Sequence, residues 1–152
     1  GRNTLNARLL QDELSKDGYE VQLTSIADLV SNSDVILSTT PSLDPLIERQ
    51  WLKDNALIIA VGADAPGKQE LDIDIISASR NIICDSKEQC FDHGELQHAY
   101  KKNLLKKENT HELGELILGH AQLKEGITVA DLTGVAIQDI IIAKHVYERL
   151  NF

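Results

Sequence analysis

Apolar positions along this chain switch repeatedly between two spacings. Leu5, Leu9, Leu10 and Leu14 recur at i, i+4, i+5 and i+9, the spacing of one helical face, and Gly18 stands where a C-cap would end that helix. Tyr19 to Thr24 alternates apolar and polar residues and predicts a short strand. Ser25 is placed to cap a brief helix through Leu29 and Val30. Asp34 to Thr40 reads as a strand closed by the proline-bearing loop Thr39-Thr40-Pro41-Ser42. After Trp51 and Leu52 comes the polar break Lys53-Asp54-Asn55, and Ala56 to Val61 predicts a buried strand. A helix over Leu71 to Ala78, a short strand over Asn81 to Asp85 and a longer helix over Lys87 to Asn103, interrupted at Gly94, follow in turn. Glu112 to Leu118 predicts a helix ended by Gly119, Ile127 to Leu132 the last strand, and Val135 to Leu150 a closing amphipathic helix.

Apolar strands alternating with helices predict βαβ units. The fold class expected is α/β, a three-layer, Rossmann-like parallel sheet with helices on both faces, in one domain over residues 1–152. In such sheets ligands bind beyond the carboxyl ends of the strands. The loops to read are therefore Thr39 to Ser42, Gly62 to Lys68, Asp85 to Glu88 and Thr133 to Val135.

Composition narrows the partners. Hydrophobic content of 42% and charged content of 26% over 152 residues suit a soluble globular domain. A net charge of −9 argues against nucleic acid or an anionic membrane as partner. Lys101, Lys102, Lys106 and Lys107 are the one concentration of positive charge, and beside Glu108 they read as a solvated helix face. With 2 cysteines there is no disulfide framework, and the absence of a leader or a long apolar run makes the cytoplasm the expected compartment, with both thiols reduced. A chain with 0 methionines that opens Gly1-Arg2-Asn3 reads as a fragment or a processed product.

Asp64 is the best catalytic candidate, because a carboxylate at a strand end beside Gly62 and Ala63 can reach a substrate and exchange a proton. The plainer role is a turn aspartate bonded to its own backbone. Lys68 either orients a substrate carboxylate or pairs at the surface with Glu70 or Asp72, and the surface role is the simpler expectation. Thr133 and Gly134 precede a helix whose N-terminus favours an anionic group, and Thr133 is equally suited to cap it. His93, His98, His111, His120 and His145 do not converge with acids or cysteines at ligand spacing, so no metal site is expected. Cys84 reads as strand packing, and Cys90 has no basic neighbour to activate it. No Gly-x-Ser-x-Gly or Ser/His/Asp arrangement supports a hydrolase.

Val61-Gly62-Ala63-Asp64-Ala65-Pro66-Gly67-Lys68-Gln69-Glu70-Leu71, taken with Leu132-Thr133-Gly134-Val135-Ala136-Ile137-Gln138-Asp139, resembles the ornithine cyclodeaminase/mu-crystallin family. The resemblance runs over nearly the whole chain and falls in the nucleotide-binding domain of those proteins. It implies a Rossmann domain binding NAD(H) or NADP(H), and a small amino or imino acid as substrate. It implies that Asp64 is the acid–base residue, with Thr39, Thr40, Pro41, Val61, Gly62, Thr133 and Gly134 against the cofactor and Lys68 and Val135 on the substrate side. The Ala63-Asp64-Ala65 wording is similar to the dehydrogenase, reductase and crystallin branch. Ornithine cyclodeamination, giving proline and ammonia, is the alternative, and a non-catalytic crystallin-like ligand-binding protein is another.

By the same resemblance, Gly1-Arg2-Asn3 looks like the end of the second Rossmann strand, where the cofactor is selected. An arginine there suits the 2′-phosphate through bidentate contacts, so Arg2 beside Asn3 favours NADP(H), with NAD(H) possible; a terminal arginine loose in solvent is the other reading. The family's glycine-rich phosphate loop, first strand and N-terminal domain have no counterpart in these residues. The chain alone is therefore expected to be inactive, a truncated product being the plainest reading, and to form a homo-oligomer through an open sheet edge. The family precedent is a dimer.

Overall fold

Five short apolar runs pair in register to make one parallel sheet, and the computed structural model describes this arrangement for residues 3–150. The elements are α1 (Thr4–Lys16), α2 (Ile26–Asn32), β1 (Val35–Ser38), β2 (Leu57–Ala60), α3 (Ile73–Ala78), β3 (Asn81–Cys84), α4 (Lys87–His93), α5 (Leu96–Lys101), β4 (His111–Glu112), α6 (Leu113–Ile117), β5 (Thr128–Asp131) and α7 (Ala136–Arg149). Strand order is β1-β2-β5-β3-β4, so the last strand inserts between β2 and β3. Val129 of β5 stands opposite Ile58 on one side and Ile82 on the other. All three are buried, and each such side chain contributes about 1.5–3 kcal/mol of apolar burial. Every residue of β3 is buried, the continuous apolar reading that a covered parallel strand requires. The expected α/β, Rossmann-like class is borne out.

Local chemistry explains most boundaries. Asn3 caps α1 by accepting from the N–H groups of Leu5 and Asn6, at 3.0 and 3.1 Å. The Ser25 hydroxyl caps α2 through the N–H of Asp28. The interruption expected at Gly94 is present, and it divides α4 from α5.

Three expectations are corrected. Tyr19 to Thr24 is not a strand: none of it joins the sheet, and it is tied to α1 by the Tyr19 N–H donating to the Leu14 carbonyl at 3.1 Å and Gln11 Nε2 donating to the Val21 carbonyl at 2.7 Å. Alternation alone does not make a strand without a neighbour to complete the ladder. The outer edge of β1 is accordingly unpaired among the described residues, with Val35 and Leu37 exposed. The closing helix forms, but its apolar residues do not stay on one covered face. Ile140, Ile141 and Ile142 are all exposed, as are Leu5, Leu9 and Leu10 of α1. Finally β4, only two residues long, pairs with β3 where the sequence suggested helix alone. No helix among the described residues is long and apolar enough to cross a membrane.

Candidate functional site

Because β1, β2, β5 and β3 run parallel, their carboxyl ends share one edge of the sheet. The four loops singled out in the sequence are thereby placed at one side of the molecule. Two internal carboxylate systems organise them.

The first centres on Glu70, which is fully buried. Its carboxylate accepts from the Ser38 hydroxyl at 2.7 Å, the Thr40 N–H at 2.5 Å and the Gly62 N–H at 2.9 Å. One side chain thus ties the loop after β1 to the loop after β2. The Glu70 and Leu71 N–H groups in turn donate to the Glu95 carboxylate, at 2.6 and 3.2 Å. The Leu96 N–H donates to Asp131 Oδ2 at 3.1 Å. Three buried acids are joined through backbone donors, with no cation paired to any of them among the described residues. Burial pushes Glu95 up to about 8 and Asp131 up to about 7.

Asp64 sits beyond β2, half exposed, and is hydrogen-bonded and ion-paired to Lys68. That hydrogen bond holds the Asp64 carboxyl below the usual carboxylate range, with burial opposing and the Lys68 charge assisting. Lys68 is positioned by its own backbone: its carbonyl lies 2.8 Å from His98 Nε2, and the neighbouring Gly67 N–H donates to Gln97 Oε1 at 3.1 Å. The surface pairing expected for Lys68 is corrected on both counts. Glu70 is enclosed by backbone donors, and Asp72 caps α3 through the N–H of Asp74.

The second system lies at the ends of β3 and β5. Asp85 accepts from the Thr133 hydroxyl and the Gly134 N–H, at 3.2 and 2.6 Å. The helix-capping role expected for Thr133 is corrected: Val135 occupies the N-cap of α7 and makes no side-chain cap bond. The Gly134 N–H, expected to be open to an anionic group, already has an internal carboxylate.

The remaining candidates divide. Thr39, Pro41 and Val61 are exposed on the rim, and Val135 is half-buried. Asn3 spends its side-chain oxygen capping α1, and Arg2 lies outside the described residues. Cys84 and Cys90 are both buried, and a hydrogen bond with Cys84 pushes the Cys90 thiol up, assisted by burial. Among the described residues no three His, Cys, Asp or Glu side chains converge as metal ligands. The residues that sequence reasoning missed are Glu70, Asp85, Glu95 and Asp131. Asp85 and Asp131 stand at apolar strand ends and Glu95 follows Gly94, a faint signal in a single sequence, while Glu70 carries none.

Comparison with known proteins agrees with this geometry. The family model described as the ornithine cyclodeaminase/mu-crystallin family matches residues 2–151. The alanine dehydrogenase of Archaeoglobus fulgidus is 42% identical over 130 residues, covering 81% of this chain and 39% of that protein. An archaeal alanine dehydrogenase dimer with bound NAD superposes with a TM-score of 0.86 at 36% identity, over 93% of this chain and 45% of the other. The Thermococcus litoralis Delta(1)-pyrroline-2-carboxylate reductase, solved with NADH and L-proline, gives 0.89 at 27% identity, over 96% and 47%. This chain therefore spans less than half the length of each of these relatives.

Proposed function

The chain belongs to the ornithine cyclodeaminase/mu-crystallin family, and on that premise we propose that it forms the nicotinamide-binding part of an oxidoreductase acting on a small amino or imino acid. The observation that carries this reading is the Asp64–Lys68 pair at the end of β2. A half-exposed carboxylate kept ionised by an adjacent ammonium is suited to take a proton from a substrate amine. In the reverse direction the same group returns the proton to the imine nitrogen.

The described residues fit the nicotinamide end of such a cofactor and not its pyrophosphate. Val61, 39% exposed beside Thr39 and Pro41, offers an apolar rim for a flat ring. The N–H groups of Thr40, Gly62 and Gly134 are taken by Glu70 and Asp85, which leaves none of the three to cradle phosphate. When bound, the nicotinamide supplies the acceptor or donor of hydride. The chain's own contribution is to hold the two loops in register, through Glu70, and to keep Asp64 within reach of the substrate nitrogen.

The test is Asp64→Asn in the complete protein, with L-alanine and with a cyclic imino acid as substrates. Turnover is expected to fall by roughly 10²–10⁴-fold, with nicotinamide affinity retained. Undiminished turnover on whichever substrate the wild type uses would remove Asp64 from proton transfer. Ammonia release from ornithine without net cofactor consumption would favour cyclodeamination. Cofactor choice rests on Arg2, whose guanidinium suits the 2′-phosphate of NADP(H). Preferred binding of NADPH over NADH, read by energy transfer from Trp51, is the expected result, and equal or reversed affinity removes that role.

A further inference from the structure

Asp85 follows β3 directly and collects more donors than any other acid at that end of the sheet. Oδ1 accepts from the Ser86 N–H at 2.8 Å and the Thr133 hydroxyl at 3.2 Å, with the Cys90 thiol at 3.3 Å. Oδ2 accepts from the Gly134 N–H at 2.6 Å. Among the described residues no Lys, Arg or His forms an ion pair with it. Lys87, the cation nearest in sequence, is turned away to Glu115 at 3.4 Å. The carboxyl of Asp131, at the end of the neighbouring strand, feels Asp85 as a repelling charge. Among the described residues the charge of Asp85 is therefore met by dipoles and by no cation.

A carboxylate in this setting does two separable things. Its hydrogen bonds fix Thr133 and Gly134, the latter in the left-handed region at φ 87°, against the end of β3. Its charge sets the potential of the surrounding crevice, where partial exclusion of water makes a nearby positive group worth more than it would be in bulk solvent. An anionic group is correspondingly disfavoured beside Gly134, which excludes the phosphate role that its position before α7 suggested.

We propose that Asp85 is a positioning residue of the nicotinamide end of the crevice, pinning the Thr133–Gly134 turn and supplying an uncompensated negative charge that favours the cationic, oxidised ring over the neutral, reduced one. This rests on the reading of the crevice as a nicotinamide site. Asp85 thereby favours hydride transfer towards substrate: the electron pair of the ring C–H bond forms the new C–H bond at the imine carbon, the imine nitrogen takes a proton, and the ring keeps the positive charge. Thr133 and Gly134 are held for that event by bonds that do not depend on the ring being present.

The experiment compares Kd for NAD+ and for NADH in the complete protein, wild type against Asp85→Asn and Asp85→Ala. Asparagine keeps an acceptor for the Gly134 N–H and turns an N–H towards Thr133, whose hydroxyl still reaches Gln89 Oε1 at 3.1 Å. It therefore removes the charge and keeps the Thr133–Gly134 turn pinned, at the loss of the Ser86 N–H bond to Oδ1. Asp85→Asn is expected to weaken NAD+ about tenfold while NADH changes by less than about twofold. Asp85→Ala is expected to weaken both. An unchanged NAD+/NADH ratio in Asp85→Asn overturns the proposal and leaves the nicotinamide reading standing. Wild-type protein that binds none of NAD+, NADH, NADP+ and NADPH overturns that reading and this proposal together. Should the variants not fold, the wild type still decides: NADH bound tenfold or more tightly than NAD+ would exclude a site biased towards the cation.

Discussion

Raising the pH from about 5 to about 9 is expected to lower the melting temperature of this chain, the reverse of the acid sensitivity that ionised surface carboxylates confer. The cause is the pair of buried acids behind the strand ends. Glu95 is pushed up to about 8 from 4.5, and Asp131 up to about 7 from 3.8, burial being the largest cause in both. A carboxyl whose folded value lies above its unfolded value binds its proton more tightly in the folded state. Its contribution is complete below the unfolded value and is lost as pH rises towards the folded one. The window of loss therefore runs from about pH 4 to about pH 8, with a plateau above. A tenfold change in proton affinity is worth about 1.4 kcal/mol, so the two acids together cost several kcal/mol at alkaline pH, and less than their sum because each charge also opposes the other. Asp64 and Glu115 are displaced the opposite way, but both are largely exposed, and solvent screening makes their opposing contribution small. Thermal melts followed by circular dichroism at about pH 5, 7 and 9 measure the slope. Asp131→Asn keeps an acceptor for the Leu96 N–H and should flatten that slope. A melting temperature that climbs steadily to pH 9 would mean that both acids are ionised and hydrated in the folded chain.

That acid system also marks the limit of what the sequence disclosed. The strands β1, β2, β3 and β5 were legible because each is an apolar run ending in proline, glycine or charge, and burial is decided locally by those residues. The break at Gly94 was legible for a similar reason, since glycine inside a helical pattern interrupts it. Glu70 was not legible. In the run Gly67-Lys68-Gln69-Glu70 it reads as one more surface charge. What makes its burial tolerable is three donors from Ser38, Thr40 and Gly62, two of them about 30 residues away in sequence. The partner of Lys68 was mistaken for the same reason: once Glu70 turns inward, the nearest free carboxylate is Asp64. Thr133 misled through its position, because α7 begins at Ala136 with Val135 at the N-cap, two residues past the hydroxyl. Tyr19 to Thr24 shows the complementary failure, a correct alternation with no strand beside it. Asp64 could be singled out as a candidate because its place at a strand end is local; residues that act by joining two loops could not.

The joining of loops predicts the second large effect, at Gly62. A Cβ added there would collide with the Thr40 carbonyl oxygen and lie 2.6 Å from the Glu70 carboxyl. The first obstacle is backbone and the second is a side chain held by three donors, so neither can swing aside as a flexible surface chain would. Gly62→Ala must therefore part the ends of β1 and β2, breaking the bonds from Thr40 and Gly62 to a carboxylate that stays buried. The expected loss is about 3 kcal/mol or more, seen as a lower urea midpoint with little change in slope. Gly67→Ala supplies the control from the same loop. Gly67 has a positive φ of 83° and no atom within 4 Å of the place a Cβ would take, so alanine there meets backbone strain without collision. Its expected cost is only about 1–2 kcal/mol. If the two variants unfold at the same urea concentration, the close approach of Gly62 to Thr40 is not what holds these loops. If Gly62→Ala alone collapses in stability, the Glu70 cage is the feature that keeps the rim carrying Thr39 and Pro41 next to the loop carrying Asp64. Any chemistry at this edge of the sheet then depends on a residue that no substrate touches.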